Sequence, residues 1–272
     1  MRPELSPQVF AILGALIEER TGIHHKPEDR RLLGDKLLDR LAEAGFDSFL
    51  DYYYFLRYDP AGAAEMDGLI DSIVVGETYL FREYDQLLFL VDELLLPAIA
   101  AGRRPRVWSA ACATGEEPFT VAILLHRRGL LGQVELVASD ISQRALDRAQ
   151  RGFLQRRAIR HLPPVDVSGC WTEGRGGAIE ISPFLRDAIE WRRVNLVDAA
   201  AIAALGQFDV VLCRNVLIYF DDVTSRRVIQ HLSDTLVPGG VLMVGVSESL
   251  LRFGTSLASE ERRGVFFYRR RA

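Results

Sequence analysis

From residue 6 to residue 74 the apolar positions recur every three or four residues, the spacing that gathers them on one face of an α-helix. Ser6 followed by Pro7 reads as a helix start, with Val9, Ile12, Leu13, Leu16 and Ile17 facing inward and Thr21-Gly22 as the stop. A second helix is predicted from near Glu28, carrying Leu32, Leu33, Leu37, Leu38 and Leu41 inward and ending at Gly45. Asp47 or Ser48 caps a third, Phe49 to Tyr58. Asp59-Pro60 interrupts the chain, and a fourth runs from about Ala63 to Val74. Four short helices with short loops predict a small bundle. A longer amphipathic helix follows from Tyr84 to Ala101, with Leu87, Leu88, Leu90, Val91 and Leu94 inward.

Beyond residue 104 the pattern changes. Short apolar runs at Val107-Trp108, Val134 to Ala138, Ile189 to Val194, Phe208 to Cys213 and Val241 to Val246 are separated by helix-forming stretches. That alternation predicts an α/β domain built on a mostly parallel, Rossmann-like sheet. Gly264 to Arg269 adds a last strand, paired in a hairpin whose other arm the pattern does not reveal. Residues 152–188 break the rhythm: Pro163-Pro164, Gly169, Gly174, Gly176 and Gly177 punctuate them. Helix-forming Arg156 to Leu162 leads into two short alternating runs, Cys170 to Thr172 and Ala178 to Ile181, which predict a small antiparallel insertion at about 155–188. The expected organisation is a helical domain over 1–75, a linker and connecting helix over 76–103, and the α/β domain over 104–272.

The candidate chemistry centres on Arg106 to Thr120, RVWSAACATGEEPFT, which reads as strand, tight turn of small residues, and helix. In an open α/β sheet, ligands settle at the carboxyl ends of the strands, where strand order reverses. The stretch has neither a G-x-G-x-x-G dinucleotide fingerprint nor a phosphate loop. Glu116 and Glu117 would repel a phosphate, so a sulfonium or ribose hydroxyls suit the turn better; the same pair also serves simply to complement a helix start. Asp140 closes the second strand, where nucleotide-binding units place the acid that accepts ribose hydroxyls; helix capping is the plainer use. Asn195 and Arg214-Asn215 close the third and fourth strands on the same edge. Arg82, in the linker, stands among aromatic residues and beside Glu83 and Asp85, with which it can also pair at the surface.

Charge narrows the partners. Thirty-three basic against 37 acidic residues leave the 272-residue chain at −4, with no overall basic character for nucleic acid. Residues 1–75 hold 8 basic and 14 acidic residues, net −6, although Arg30, Lys36 and Arg40 line up on the second helix as a local basic ridge. No apolar run reaches the roughly 20 residues of a membrane span. The start lacks a signal-peptide core, and three cysteines (Cys112, Cys170, Cys213) without metal spacing suit a reducing compartment, so a cytoplasmic protein without a metal site is expected.

Taken together, VWSAACATGEEPFT, ASDIS, RVNL, FDVVLCRNVLIYFD and LVPGGVLMVGVSESL resemble the successive motifs of the CheR-type chemotaxis receptor methyltransferases, and TYLFRE resembles that family's T-x-F-F-R-E signature. The resemblance runs from about residue 6 to 269. It implies an S-adenosylmethionine-dependent methyltransferase that esterifies glutamate side chains of bacterial chemoreceptors and releases S-adenosylhomocysteine. By the same resemblance, Thr78 and Arg82 reach the cofactor from the linker. Glu117, or Glu116, lies near the methionine amino group or the sulfonium. Asp140 binds ribose, Asn195 and Leu196 frame the adenine, Arg214 and Asn215 line the pocket, and Tyr219 stands beside the methyl group. Arg82 and Tyr219 are the expected catalytic pair. Arg30, Lys36 and Arg40 match the family's receptor-facing helix, and the insertion stands where some members dock a receptor C-terminal peptide. A monomer is expected. Gly76 departs from the family, which often has Asn two positions before the linker threonine, and the acids interleaved on the second helix depart from its basic character. Methyl transfer to another protein, RNA or a small molecule, and a non-catalytic cofactor sensor, are the competing readings.

Overall fold

The computed structural model describes residues 3–271. They form two compact units: the chain up to Val75 together with Tyr219–Thr224, and Gly76–Ile218 together with the chain from Ser225 onward.

The first unit is helical. α1 (Pro7–Thr21) is capped by the Ser6 hydroxyl, which accepts from the Val9 N–H, and ends at Gly22 in the left-handed conformation, φ 77°. A single 3₁₀ turn, Pro27–Asp29, precedes α2 (Arg30–Glu43); α3 (Phe49–Tyr58) is capped by Ser48, and α4 (Gly62–Ile73) completes the set. Leu13, Ile17, Leu33, Leu37, Leu41, Leu56 and Leu69 fill the interior. Burying one such side chain is worth about 1.5–3 kcal/mol over leaving it in water. Leu32, expected inside, is 60% exposed: a helix face wide enough for Leu33, Leu37 and Leu41 turns its i−1 neighbour outward. Tyr219–Thr224 joins this unit through a bridge between Phe220 and Ile23, and the His24 N–H donates to the Tyr219 carbonyl at 2.9 Å.

The ridge expected on α2 does not stand free. Lys36 donates to the Ile73 carbonyl at 2.8 Å, and Arg30 to the Leu5 carbonyl at 3.3 Å. Arg40 is clamped on Glu65, with Nε–Oε1 at 2.6 Å, and also meets Glu43; the Tyr52 hydroxyl donates to the same Glu65 at 2.7 Å. The residues that α2 leaves exposed are Arg31, Leu32, Asp35, Asp39, Ala42 and Glu43, so its outward face carries more acid than base.

The second unit opens with α5 (Tyr84–Phe89), which continues through a π-helical turn, Leu90–Leu95, into α6 (Leu96–Ala100). The predicted single helix is therefore one rod with a π segment in it. β1 (Arg106–Ala110), α7 (Glu116–Arg127), β2 (Glu135–Asp140) and α8 (Gln143–Arg151) follow. The insertion supplies β3 (Phe153–Leu154), β4 (Trp171–Glu173) and β5 (Ile179–Ile181), an antiparallel sheet ordered β3-β5-β4. β4 and β5 are the predicted hairpin; β3 is a third strand that two residues of sequence could not announce. Arg156 to Leu162 forms only a 3₁₀ turn, Arg156–Ile159, not a helix. Then come α9 (Pro183–Arg186), β6 (Ile189–Arg193), α10 (Ala199–Ala203), β7 (Phe208–Cys213), α11 (Asp222–Asp234), β8 (Leu236–Val244), β9 (Ala258–Arg262) and β10 (Val265–Arg269).

Seven strands make the main sheet, in the order β6-β2-β1-β7-β8-β10-β9. β6, β2, β1, β7 and β8 run parallel; β10 is antiparallel to β8 and forms a hairpin with β9, the arm missing from the sequence pattern. β2 and β6 lie on one side of β1, β7 and β8 on the other, so strand order reverses at β1. Such a reversal leaves a crevice at the carboxyl ends of the strands, and the loops after β1, β2, β6, β7 and β8 all emerge there. Beneath them Trp108, fully buried, stacks 5.5 Å from Phe208 and donates its indole N–H to Ser139 at 2.9 Å.

Candidate functional site

The carboxyl edge is where the backbone departs from relaxed geometry. Phe81 (φ 63°), Glu83 (51°), Ala111 (58°), Ala113 (49°) and Asn215 (60°) are all left-handed. Non-glycine residues pay of order 1 kcal/mol or more for this, and hold it only where surrounding bonds dictate it. Among the described residues only Arg263, in the β9–β10 turn, is another. Gly115, φ 92°, completes the turn after β1; a Cβ there would lie 2.9 Å from both Phe119 and Trp191, so the helix start can press against β6 only with glycine.

Asp140 ends β2 with its carboxylate turned onto this turn. Oδ2 accepts from the Ala113 N–H at 2.8 Å and Oδ1 from the Ser142 N–H at 2.9 Å. The acid thus fixes both the curl of the β1–α7 turn and the start of the loop into α8. Beside it, β6 runs in register with β2, Asp140 opposite Arg193, and the Val194 N–H donates to the Asp140 carbonyl at 3.0 Å. Asn195 turns its Oδ1 back onto the Val197 N–H at 3.2 Å, and Leu196 is buried with its carbonyl 3.2 Å from His231 Nδ1.

The two glutamates that open α7 have different surroundings. Glu116 faces the interior, 4% exposed, and accepts from the Thr114 hydroxyl at 2.7 Å. Burial raises its pKa above the ordinary carboxylate value, and the Thr114 bond only partly offsets that. Glu117 lies between Ser109, whose hydroxyl donates to Oε1 at 2.6 Å, and Arg214, whose Nη1 donates to Oε2 at 2.7 Å.

Arg214, at the end of β7, gathers the rest. Its side chain is 2% exposed. Nε donates to Gln86 Oε1 at 2.9 Å, and Nη2 donates to the Arg82 carbonyl at 2.7 Å and to Glu83 Oε2 at 3.0 Å. Gln86 in turn donates to the Val244 carbonyl of β8 at 3.1 Å. One buried guanidinium therefore joins the linker, α5, α7 and, through Gln86, β8. A buried cation is tolerable only when so compensated, and removing either side strands a charge. The fork geometry and permanent charge of arginine suit the place better than lysine would.

Asn215 is held on both sides. Its side-chain Nδ2 donates to Glu83 Oε1 at 3.2 Å and its backbone N–H to Glu248 Oε2 at 2.6 Å. Glu248 also accepts from Gly245 at 2.8 Å and from Val216 and Leu217 at 2.9 Å. Successive N–H groups converging on one oxygen pair form an anion-binding nest, here filled by the chain's own carboxylate. The linker passage Thr78 to Glu83 lies along the insertion. Leu80 donates to the Ala158 carbonyl at 2.8 Å, and Phe81 donates to the Thr120 hydroxyl at 2.9 Å. Thr78 is half-buried. Arg82 donates to the Glu77 carbonyl at 3.0 Å and sits 5.9 Å from the Tyr79 ring. Arg160, over the same ring at 4.2 Å, pairs with Glu77 at 2.8 Å, a bond that holds the Glu77 pKa below its ordinary value.

The structure thus gathers Arg82, Glu117, Asp140, Asn195, Leu196, Arg214 and Asn215 along the carboxyl edge of one sheet. Tyr219 is placed with the helical unit. Glu83, Gln86, Ser109, Thr120 and Glu248 were missed by sequence reasoning. Glu248 carried the same signal as Asp140, an acid directly after an apolar strand. Gln86 and Thr120 carried none, because a polar residue within an apolar helix face becomes meaningful only with its partner known. No group of three or more His, Cys, Asp and Glu side chains that could hold a metal occurs among the described residues, and no helix among them is long and apolar enough to cross a membrane.

The turn after β1 suits a hydroxyl-bearing ligand better than a phosphate: residues 109–118 contain no lysine or arginine, and the Asp140 carboxylate borders the turn. Comparison with known families agrees. Residues 76–263 match the family model "CheR methyltransferase, SAM binding domain", and residues 8–74 match "CheR methyltransferase, all-alpha domain". A protein of Vibrio cholerae serotype O1, "Chemotaxis protein methyltransferase 2", is 34% identical over 87% of this chain and 84% of its own length. "Chemotaxis protein methyltransferase 1" of Pseudomonas aeruginosa is 32% identical over 89% of this chain and 90% of its own. Among solved structures, the N-methyltransferase NodS of Bradyrhizobium japonicum in complex with S-adenosyl-L-homocysteine aligns with 86% of this chain at 16% identity and a TM-score of 0.40.

Proposed function

The chain belongs to the CheR methyltransferase family, and from that premise we propose that it transfers a methyl group from S-adenosylmethionine to glutamate side chains of bacterial chemoreceptors. The observation that carries the reading is the Arg214 knot. A fully buried arginine fixes the linker carrying Arg82 and the start of α7 on the strand edge where Asp140 ends β2.

S-adenosylmethionine, when bound, supplies an electrophilic methyl group on a positively charged sulfur. Asp140 is assigned the ribose hydroxyls, Asn195 and Leu196 the adenine, and Thr78, Glu116, Glu117, Arg214 and Asn215 the remaining contacts, Glu116 and Arg214 acting through the residues they hold. The acceptor needs no general base, since a glutamate with a reference pKa near ~4.3 is ionised at neutral pH. What the chain must do is orient that carboxylate and shed its water, work that accounts for several kcal/mol in other enzymes. Arg82 is assigned to hold the acceptor carboxylate by a charge-assisted bond, tethered as it is through its carbonyl to Arg214. Tyr219 is assigned to orient the acceptor or the methyl donor.

The test is direct. Calorimetry should register S-adenosylhomocysteine binding. Labelled methyl transfer should succeed with chemoreceptor cytoplasmic fragments and fail with RNA, and the label should be released by mild base, as a carboxyl methyl ester is. Transfer that resists base, or none to any receptor fragment, overturns the proposal.

A further inference from the structure

Two loops at the carboxyl edge present apolar side chains to solvent. Ile218 is 62% exposed, Val246 70% and Leu251 73%. They do not belong to floppy segments. Glu248 accepts from Leu217, next to Ile218, and from Gly245, next to Val246, so one carboxylate binds the two loops to each other. Val246 is pinned a second time, its N–H donating to Glu83 Oε2 at 3.1 Å. The Leu250 N–H, beside Leu251, donates to the buried Tyr268 hydroxyl at 2.9 Å. Apolar side chains held rigidly in water cost solvation free energy and return it when a partner covers them.

Charge bears on the partner. Residues 215–218 and 245–251 contain one charged side chain, Glu248, and its carboxylate is taken up by backbone N–H groups. This rim therefore turns no free carboxylate toward an acidic substrate. The helical unit differs: Asp35, Asp39, Glu43, Asp47, Asp51 and Asp59 are exposed there, while Lys36 and Arg40 are engaged internally. Like charges facing one another disfavour association.

We propose that Ile218, Val246 and Leu251 form a docking rim that takes apolar side chains flanking the acceptor glutamate in the substrate protein, with Glu248 as the residue that holds the rim in place. The inference rests on the function proposed above and specifies its substrate: an acidic acceptor embedded among apolar residues, not among basic ones.

The test compares the parent protein with the Val246→Ser/Leu251→Ser variant on one methylatable receptor fragment. KM for the fragment should rise about tenfold, the equivalent of covering about one apolar side chain, while kcat stays within about twofold and S-adenosylhomocysteine affinity does not move. Both positions are exposed, so the melting temperature should be unchanged, and Val246→Leu should keep the original KM. Replacing the apolar neighbours of the acceptor glutamate by serine should raise KM for the parent protein but add little in the variant, the non-additivity of groups in contact. If the parent protein methylates the fragment and the variant's KM is unaltered, the rim is wrong and the proposed function stands. If the parent protein methylates no receptor fragment, both fall.

Discussion

Each unit holds an arginine set between two carboxylates, Arg40 in one and Arg214 in the other, and the two serve different ends. Arg40 clamps Glu65 and Glu43 on the helical bundle; its side chain is 27% exposed, and the helices around it are regular. Arg214 is 2% exposed, holds Glu83 and Glu117, and sits among residues forced into left-handed backbone. An ion pair on a half-exposed surface fastens elements that already favour their shape. An ion pair sealed in a strained loop cluster imposes a shape that the chain would otherwise leave. Among the described residues, strain, burial and polar saturation coincide at the sheet's edge and not in the helical unit, so at the edge geometry is imposed by the surrounding bonds.

That contrast can be broken by substitution. Arg214→Met should have the largest effect, stranding Glu83 and Glu117: unfolding in urea should show a loss of about 3–5 kcal/mol, with methyl transfer abolished. Arg40→Met should cost less, about 1.5–3 kcal/mol, and leave S-adenosylhomocysteine affinity unchanged by calorimetry; equal losses at the two sites would remove the distinction drawn between them. Arg82→Ala should lower turnover about 100-fold, as loss of one positioned donor does elsewhere, with cofactor-product affinity largely kept; Tyr219→Phe should act in the same direction. Thr120→Val leaves the Phe81 N–H without its acceptor and should cost about 1–3 kcal/mol.

Glu116→Gln sharpens the comparison through pH. The folded protein holds the Glu116 proton more tightly than the unfolded chain does, because burial disfavours the charge. The parent protein therefore has the full benefit of this group below the unfolded carboxylate range and loses it as pH rises through the raised folded value. The amide variant should match the parent in melting temperature at acid pH and exceed it at neutral pH; a variant less stable at neutral pH would contradict the assignment. The smallest effect is expected at Gly76, where an added Cβ meets nothing within 4 Å. Gly76→Asn should fold normally and bind S-adenosylhomocysteine somewhat more tightly.

Much of this was written in local pattern. α3 and β7 fall where caps and apolar runs placed them, because Ser48 and the FDVVLC run act through neighbours in sequence. Asp140 was legible because strand, acid and helix follow one another within a few residues. The Arg214 knot was not: Arg214 and Gln86 are 128 positions apart, and no periodicity reports such a meeting. The bonds that tie down the basic ridge were hidden for the same reason. Helical spacing placed Arg30, Lys36 and Arg40 on one side of α2, but the carbonyls of Leu5 and Ile73 and the carboxylate of Glu65, which turn those cations inward, come from outside the helix.

The segment Tyr219–Thr224 carries a practical corollary. Six residues counted with the helical unit are encoded between β7 and the body of α11, deep inside the sequence of the other unit. Cutting the gene at position 75 would therefore not yield two whole parts. The shorter product would lack the backbone partner of Ile23 and His24, and the longer one would keep that strip with nothing of its own fold to pair with.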